Sequence, residues 1–221
     1  FQESVQDDPL SLHFLVRNPE NYGITEPEMK FPEYSLEQLQ KDSEENAAVL
    51  EELSSFDTSL LTSDRLFTYR MMKDTLETEA GSKGLELYNQ PLSALIGTQT
   101  ELPTLLAEYT FYNRADIDHY LALLSQIDTY YKQLAAYEQA QADAGLAPSD
   151  DTIDRILKSC KSYLIRPENS LLTDTFASRL NAVEGLSNAE KASYKAKHLT
   201  ILKEHFIPAY TNLSKALEAL K

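Results

Sequence analysis

Apolar residues recur along most of this chain at spacings of three and four, the period of an α-helix with one buried face. Leu36, Leu39, Leu50 and Leu53 fit a helix of about 35–55. Leu66, Tyr69, Met72, Leu76 and Ala80 fit another of about 63–80, ended by Gly81. Ile117, Tyr120, Leu121, Leu124 and Ile127 mark a third, and Tyr130, Leu134 and Tyr137 a fourth that stops before Gly145. Ile153, Ile156, Leu157, Cys160 and Leu164 stripe a fifth, which ends before Pro167. Near the C-terminus Ala192, Ala196, Leu199, Leu202 and Phe206 form one stripe, continued in step by Ala209, Leu213, Leu217 and Leu220. Pro208 interrupts that segment, removing one backbone hydrogen bond and predicting a kink. Strand-type alternation is scarce, so the pattern predicts an all-α fold, a multi-helix array joined by short links.

Start signals agree with the stripes. Ser35-x-x-Gln38 and Ser187-x-x-Glu190 read as capping boxes, which satisfy free N–H groups at a helix start. Asn113 precedes Asp116, and Ser149 precedes Asp150, Asp151 and Asp154, placing carboxylates at the positive end of a helix dipole.

Two stretches escape the pattern. Residues 1–34 hold Pro9, Pro19, Pro27 and Pro32 around an apolar run from Leu10 to Val16, and read as an irregular or short-helical lead-in packed against the array. Residues 81–103 contain Gly81, Gly84, Pro91, Gly97 and Pro103, the longest break between strong helical patterns, and breaks of this length often carry function. No Pro-, Ser- or Gly-rich linker divides the chain. The expectation is one domain over 1–221, with the lead-in at 1–34 and the array at 35–221.

The charge balance narrows the partners. Twenty basic against 35 acidic side chains give a net charge of −15 over 221 residues, which argues against nucleic acid and against anionic lipid head groups. No stretch approaches the roughly 20 apolar residues of a membrane span. The single cysteine, Cys160, excludes an internal disulfide framework and a cysteine-rich zinc site. The chain opens on Phe1-Gln2-Glu3 without an initiator Met and reads as processed or trimmed.

No motif declares a chemistry. His13, His119, His198 and His205 form no His-Glu-x-x-His, so a zincin-type site cannot be built locally. His198 and His205 are two helical turns apart, roughly 10 Å in rise, too far for one ion without strain. Cys160 sits on an apolar stripe and behaves as a small hydrophobe, although Lys158 and Lys161 are near. Gly-x-Ser-x-Gly and phosphate-binding Gly-rich loops do not occur. Glu44-Glu45 and Glu51-Glu52 read as a solvated helix face, and Asp150-Asp151-Asp154 as helix capping rather than a calcium loop. Tyr120, Tyr130 and Tyr137, among 13 tyrosines, fall on helix faces as core or edge residues. No catalytic residue, metal ligand or cofactor is assigned to this chain.

Three segments carry a resemblance. The lead-in DDPLSLHFLVRNPENYGI (Asp7 to Ile24), the run LYNQPLSALIGTQTELPTLLAEYTFYNRADIDHYLALL, and EQAQADAGLAPSDDTIDRILKSC (Glu138 to Cys160) resemble the N-terminal part of a large bacterial family, domain of unknown function 885. In the middle run the pattern is Asn89, Gln90, Gly97, Pro103, Leu105, Leu106, Asp116 and Tyr120. The resemblance implies a fold similar to mostly helical zinc peptidases with a deep cleft, whose His-Glu-x-x-His lies in a C-terminal half. It implies that this chain is a fragment: the non-catalytic N-terminal helical region of a secreted, lipid-anchored, zinc-metallopeptidase-like protein, forming one wall of the cleft. Zinc is then expected only in the C-terminal half, and the main partner is the remainder of the same polypeptide. An apolar face left by that division is expected to be exposed, or covered in a dimer.

Under that reading Asn89, Gln90 and Gln99 offer amides to an extended peptide substrate, and Gly97 permits close backbone approach. The same amides could instead tie down their own loop. The alternative for the whole chain is a self-contained helical binding or scaffold module of the cell surface; a self-contained enzyme using a His or carboxylate pair is the third reading.

Overall fold

The computed structural model describes residues 7–24 and 28–221, so Phe1, Gln2, Glu3 and Pro27 lie outside the described residues. The described residues are helical and contain no strand: α1 (Pro9–Leu15), α2 (Leu36–Ser54), α3 (Ser63–Gly81), α4 (Thr98–Glu108), α5 (Arg114–Leu124), α6 (Ile127–Asp143), α7 (Asp150–Tyr163), α8 (Leu171–Ala182), α9 (Asn188–Ile201) and α10 (Ile207–Ala219). They divide into two compact units, Tyr34–Asn89 and a larger one combining the lead-in with Gln90–Lys221.

Side chains at the helix starts explain where the elements begin. Asn113 Oδ1 accepts from the Ala115 N–H at 2.7 Å, and Asp116 Oδ2 accepts from the Asn113 N–H at 3.0 Å, a complete capping box on α5. Ser187 and Glu190 form the second one, on α9. At α2 the Ser35 hydroxyl accepts from the Gln38 N–H, while the Gln38 side chain donates to Asp42 at 2.7 Å. Ser149 and Ser170 cap α7 and α8 in the same way.

In the smaller unit α2 packs on α3, and Leu76 is the buried side chain of that pair. Val49, Phe67, Met71 and Met72 remain exposed, and Phe67 and Met71, four apart, share one face of α3.

In the larger unit α10 packs on α6 and α7, while α4 packs on α7 and α8. The stripes read from the sequence form this core: Ile117, Tyr120, Leu124, Leu134, Ile153, Ile156 and Leu217 are fully buried. Ile127 opens α6 instead of closing α5, because Ser125 and Gln126 break the helix without breaking the phase of the stripe. The 81–103 break is shorter than its composition implies. α4 already starts at Thr98 and carries Pro103 in its interior. Proline has no N–H for the carbonyl four residues back, here Gln99. That carbonyl instead accepts from the Tyr210 hydroxyl at 2.6 Å, so α10 replaces the missing helical bond. Pro208 is accommodated differently: Leu202–Phe206 forms a π turn in which the Ile207 N–H reaches back to the Leu202 carbonyl.

Candidate functional site

A cavity of about 340 Å³ opens in the larger unit between α1, the turn Pro19–Tyr22 and the start of α5. That volume lies within the range of small-molecule sites. Two segments far apart in sequence build it. Asp8 caps α1, accepting from the Ser11 N–H at 3.1 Å, and burial of Leu10 and Leu12 seats that short helix. The opposite wall is the Asn113 cap of α5, with Tyr109 and Tyr112 just before it.

The side chains at this cavity have distinct electrostatic states. The His13 ring stacks on Tyr109, with centroids 3.6 Å apart and planes 7° from parallel. Burial lowers the His13 pKa, against the upward pull of the Asp116 carboxylate and the Thr110 backbone. Tyr109 is 1% exposed, and burial raises its phenol well above the usual range. The Arg17 guanidinium lies 4.9 Å from the Tyr112 ring centre, a cation–π contact. Asp116 accepts through one oxygen from the N–H groups of Tyr112 (2.8 Å) and Asn113 (3.0 Å), and its negative charge acts on His13 and Tyr109, pulling the pKa of His13 up against burial and that of Tyr109 up with it. His119, half-buried on α5, completes the lining.

Tyr109 joins this cavity to a buried aromatic cluster. Its carbonyl accepts from Arg179, whose guanidinium also lies 4.5 Å over Phe111 and 4.9 Å over Tyr120. His198 stacks on Phe176 at 4.2 Å and meets the Tyr120 hydroxyl at 3.2 Å. Burial, aided by Arg179, pushes the His198 pKa down to about 3, so the ring stays neutral.

The residues singled out in the sequence fall apart into two settings. Asn89 and Gln90 are exposed. Gln99 is 1% exposed; its Nε2 donates to the Ser93 carbonyl at 2.5 Å and to Ser159 Oγ at 3.4 Å. Gly97 is buried, and a Cβ there would lie 2.4 Å from the Ser93 N and 2.3 Å from Gln99 Oε1. The backbone that approaches Gly97 is therefore that of its own loop. His13, Arg17, Tyr109 and His119 were not singled out as a site from sequence. A seven-residue helix is too short to show periodicity, and the fold alone brings Arg17 to Tyr112. The one available signal was the density of polar residues in the lead-in.

Among the described residues no three His, Cys, Asp or Glu side chains converge in a group able to hold a metal ion. His205 pairs with Asp128 at 3.2 Å, away from the partners of His198. Cys160 is buried, and desolvation raises its thiol to about 11, which keeps it protonated.

The model of a family described as bacterial protein of unknown function, DUF885, matches residues 19–221. The chain belongs to the DUF885 family. No curated protein sequence matches it. A crystal structure described as the putative lipoprotein from Colwellia psychrerythraea has the same fold, with a TM-score of 0.88 and 16% identity, over 99% of this chain. The DUF885 chain spans 39% of that protein's length. His13, Arg17 and Asn18 precede the span matched by the family model. Among the described residues of this DUF885 chain no helix is long and apolar enough to cross a membrane.

Proposed function

We propose that this DUF885 chain is the non-catalytic N-terminal helical region of a cell-surface, zinc-metallopeptidase-like lipoprotein, and that it forms part of a substrate cleft. The observation that carries this reading is the recurrence of nearly the whole fold as 39% of a larger protein. A helical region of this kind supplies walls and substrate contacts, while zinc and the groups that activate water belong to the remainder of the polypeptide. The description of the Colwellia protein as a lipoprotein supports placement at the cell surface. The exposed Phe67 and Met71 supply a face for the remaining polypeptide, and the exposed amides of Asn89 and Gln90 suit an extended peptide backbone.

Reading the gene beyond the codon for Lys221 tests this directly. An open frame encoding His-Glu-x-x-His supports it, and an immediate stop codon rejects it. The intact protein is expected to bind zinc stoichiometrically and to cleave peptides in a chelator-sensitive manner, whereas residues 1–221 alone cleave nothing. Stoichiometric zinc on 1–221 overturns the division of labour. The cavity at His13 favours a second reading, a self-contained binding module, which the stop codon would support.

A further inference from the structure

The loop that precedes α4, residues 91–97, holds two aliphatic side chains out of the fold. Leu95 is 89% exposed and Ile96 73%, and Leu95 is the most exposed large apolar side chain among the described residues. Hydrogen bonds fix the backbone beneath them. Ser93 Oγ accepts from the Leu95 N–H at 3.3 Å and from the Ile96 N–H at 3.2 Å. The Ser93 carbonyl accepts in turn from the buried Gln99 side chain, and the Thr98 N–H closes the loop on the Pro91 carbonyl at 2.9 Å. Leu92, which is buried, anchors the base, and Gly97 packs so closely that a Cβ would meet the Ser93 N. Single exposed aliphatic residues are ordinary. Two in succession, on a loop closed at its base and pinned under its tip, make a projecting apolar point.

Lipid, a separate chain or another part of the same polypeptide could cover such a tip. An anionic lipid surface repels a chain of net charge −15. A lasting complex between separate chains buries about 800 Å² on each partner, drawn from roughly 20–30 residues, far more than two side chains offer. A segment of the same polypeptide needs no such area, because its tether supplies an effective concentration of about millimolar. The recurrence of this fold as 39% of a larger chain leaves room for that segment.

We infer that the tip formed by Leu95 and Ile96 is a plug that seats in an apolar pocket of the polypeptide following Lys221. This rests on the reading of the chain as the N-terminal region of a longer protein, and it names the residues of the larger unit through which that region meets the remainder.

The test is thiol accessibility in the intact protein. Ile96→Cys and, as a second position, Leu95→Cys are alkylated with iodoacetamide, and the modified loop peptide is quantified by mass spectrometry. Alkylation is expected to be at least about tenfold slower than in the same variant unfolded in urea, and independent of protein concentration. Circular dichroism melting shows that each variant is folded, and hydroxyl-radical footprinting of the unsubstituted protein reads Leu95 and Ile96 without any substitution. Labelling or footprinting as fast as in the unfolded protein shows an open tip and overturns the inference while the longer-protein reading stands. Protection that grows with protein concentration assigns the tip to a second copy, and protection that needs added phosphatidylglycerol vesicles assigns it to lipid; either result overturns the inference. A stop codon directly after Lys221 removes the longer-protein reading itself, and the inference with it.

Discussion

Glu138 on α6 is 1% exposed, and its Oε2 has no hydrogen-bond partner among the described residues. Desolvation raises its pKa to about 7, while His198 is lowered to about 3. The two groups act on stability with opposite signs. Between the ordinary carboxyl pKa and about 7 the folded state holds a proton on Glu138 that the unfolded chain releases, so stability from this group falls as pH rises. Between about 3 and the ordinary imidazole value of 6.5 the unfolded chain protonates His198 and the folded state does not, so stability falls as pH drops. Where the windows overlap, near pH 5–6, the slopes of about 1.4 kcal/mol per pH unit cancel. Glu138→Gln is expected to unmask the histidine slope, making stability rise with pH from 5 to 6 in urea titrations. A profile that already rises from pH 5 to 6 in the parent protein, and is unchanged in that variant, would show that Glu138 is ionised in the fold. Gly97 answers to space and not to charge: its φ of −142° suits any residue, but a methyl group would meet Ser93 N and Gln99 Oε1. Gly97→Ala should cost about 1–3 kcal/mol by overpacking, read as a lowered urea midpoint at constant slope.

At the scale of elements, the helix with an internal proline depends on its neighbours. Tyr210 on α10 donates to the Gln99 carbonyl that Pro103 cannot serve, and Tyr131 on α6 meets Tyr210 at 2.9 Å and the Thr98 carbonyl at 3.3 Å. Tyr210→Phe leaves a carbonyl in the first turn of α4 unsatisfied, so a loss of about 1–3 kcal/mol is expected. Tyr163→Phe, at a ring that also packs on Tyr210, should cost less because Tyr163 makes no hydrogen bond in this network. Comparable losses in both would show that removing a hydroxyl at this cluster, and not the loss of the bond to the Gln99 carbonyl, carries the effect. This dependence explains what was legible in the sequence. Stripes such as Ile153–Ile156–Leu157–Cys160 and the caps at Asn113 and Ser187 are local, and they predicted their helices. α4 was hidden because its proline is tolerated only through a tyrosine more than a hundred residues away. α8 carries Leu172, Phe176 and Leu180 on one face, a stripe of three positions too short to stand out between Pro167 and the next cap. Of the candidate site, the sequence exposed amides near 89–99, whereas the cavity at His13 needs α1 laid against α5, which no local pattern encodes.

Across the whole molecule, burial is uneven. The larger unit contains the fully buried side chains of α5, α6, α7 and α10, whereas α2 and α3 bury little beyond Leu76. Local stability follows buried apolar contact, so the two units should open with different free energies. In residues 1–221 alone, amides of α2 and α3 are expected to exchange with deuterium well before those of α6 and α10. Phe67 and Met71 are 65% and 56% exposed, and burying both against the remaining polypeptide would add about 2 kcal/mol. The proposed role therefore predicts a difference between two proteins. Exchange in α3 should slow by about thirtyfold in the intact protein, while α6 and α10, already buried, change little. Identical protection of α3 in both would place the rest of the polypeptide elsewhere and remove this face as its support.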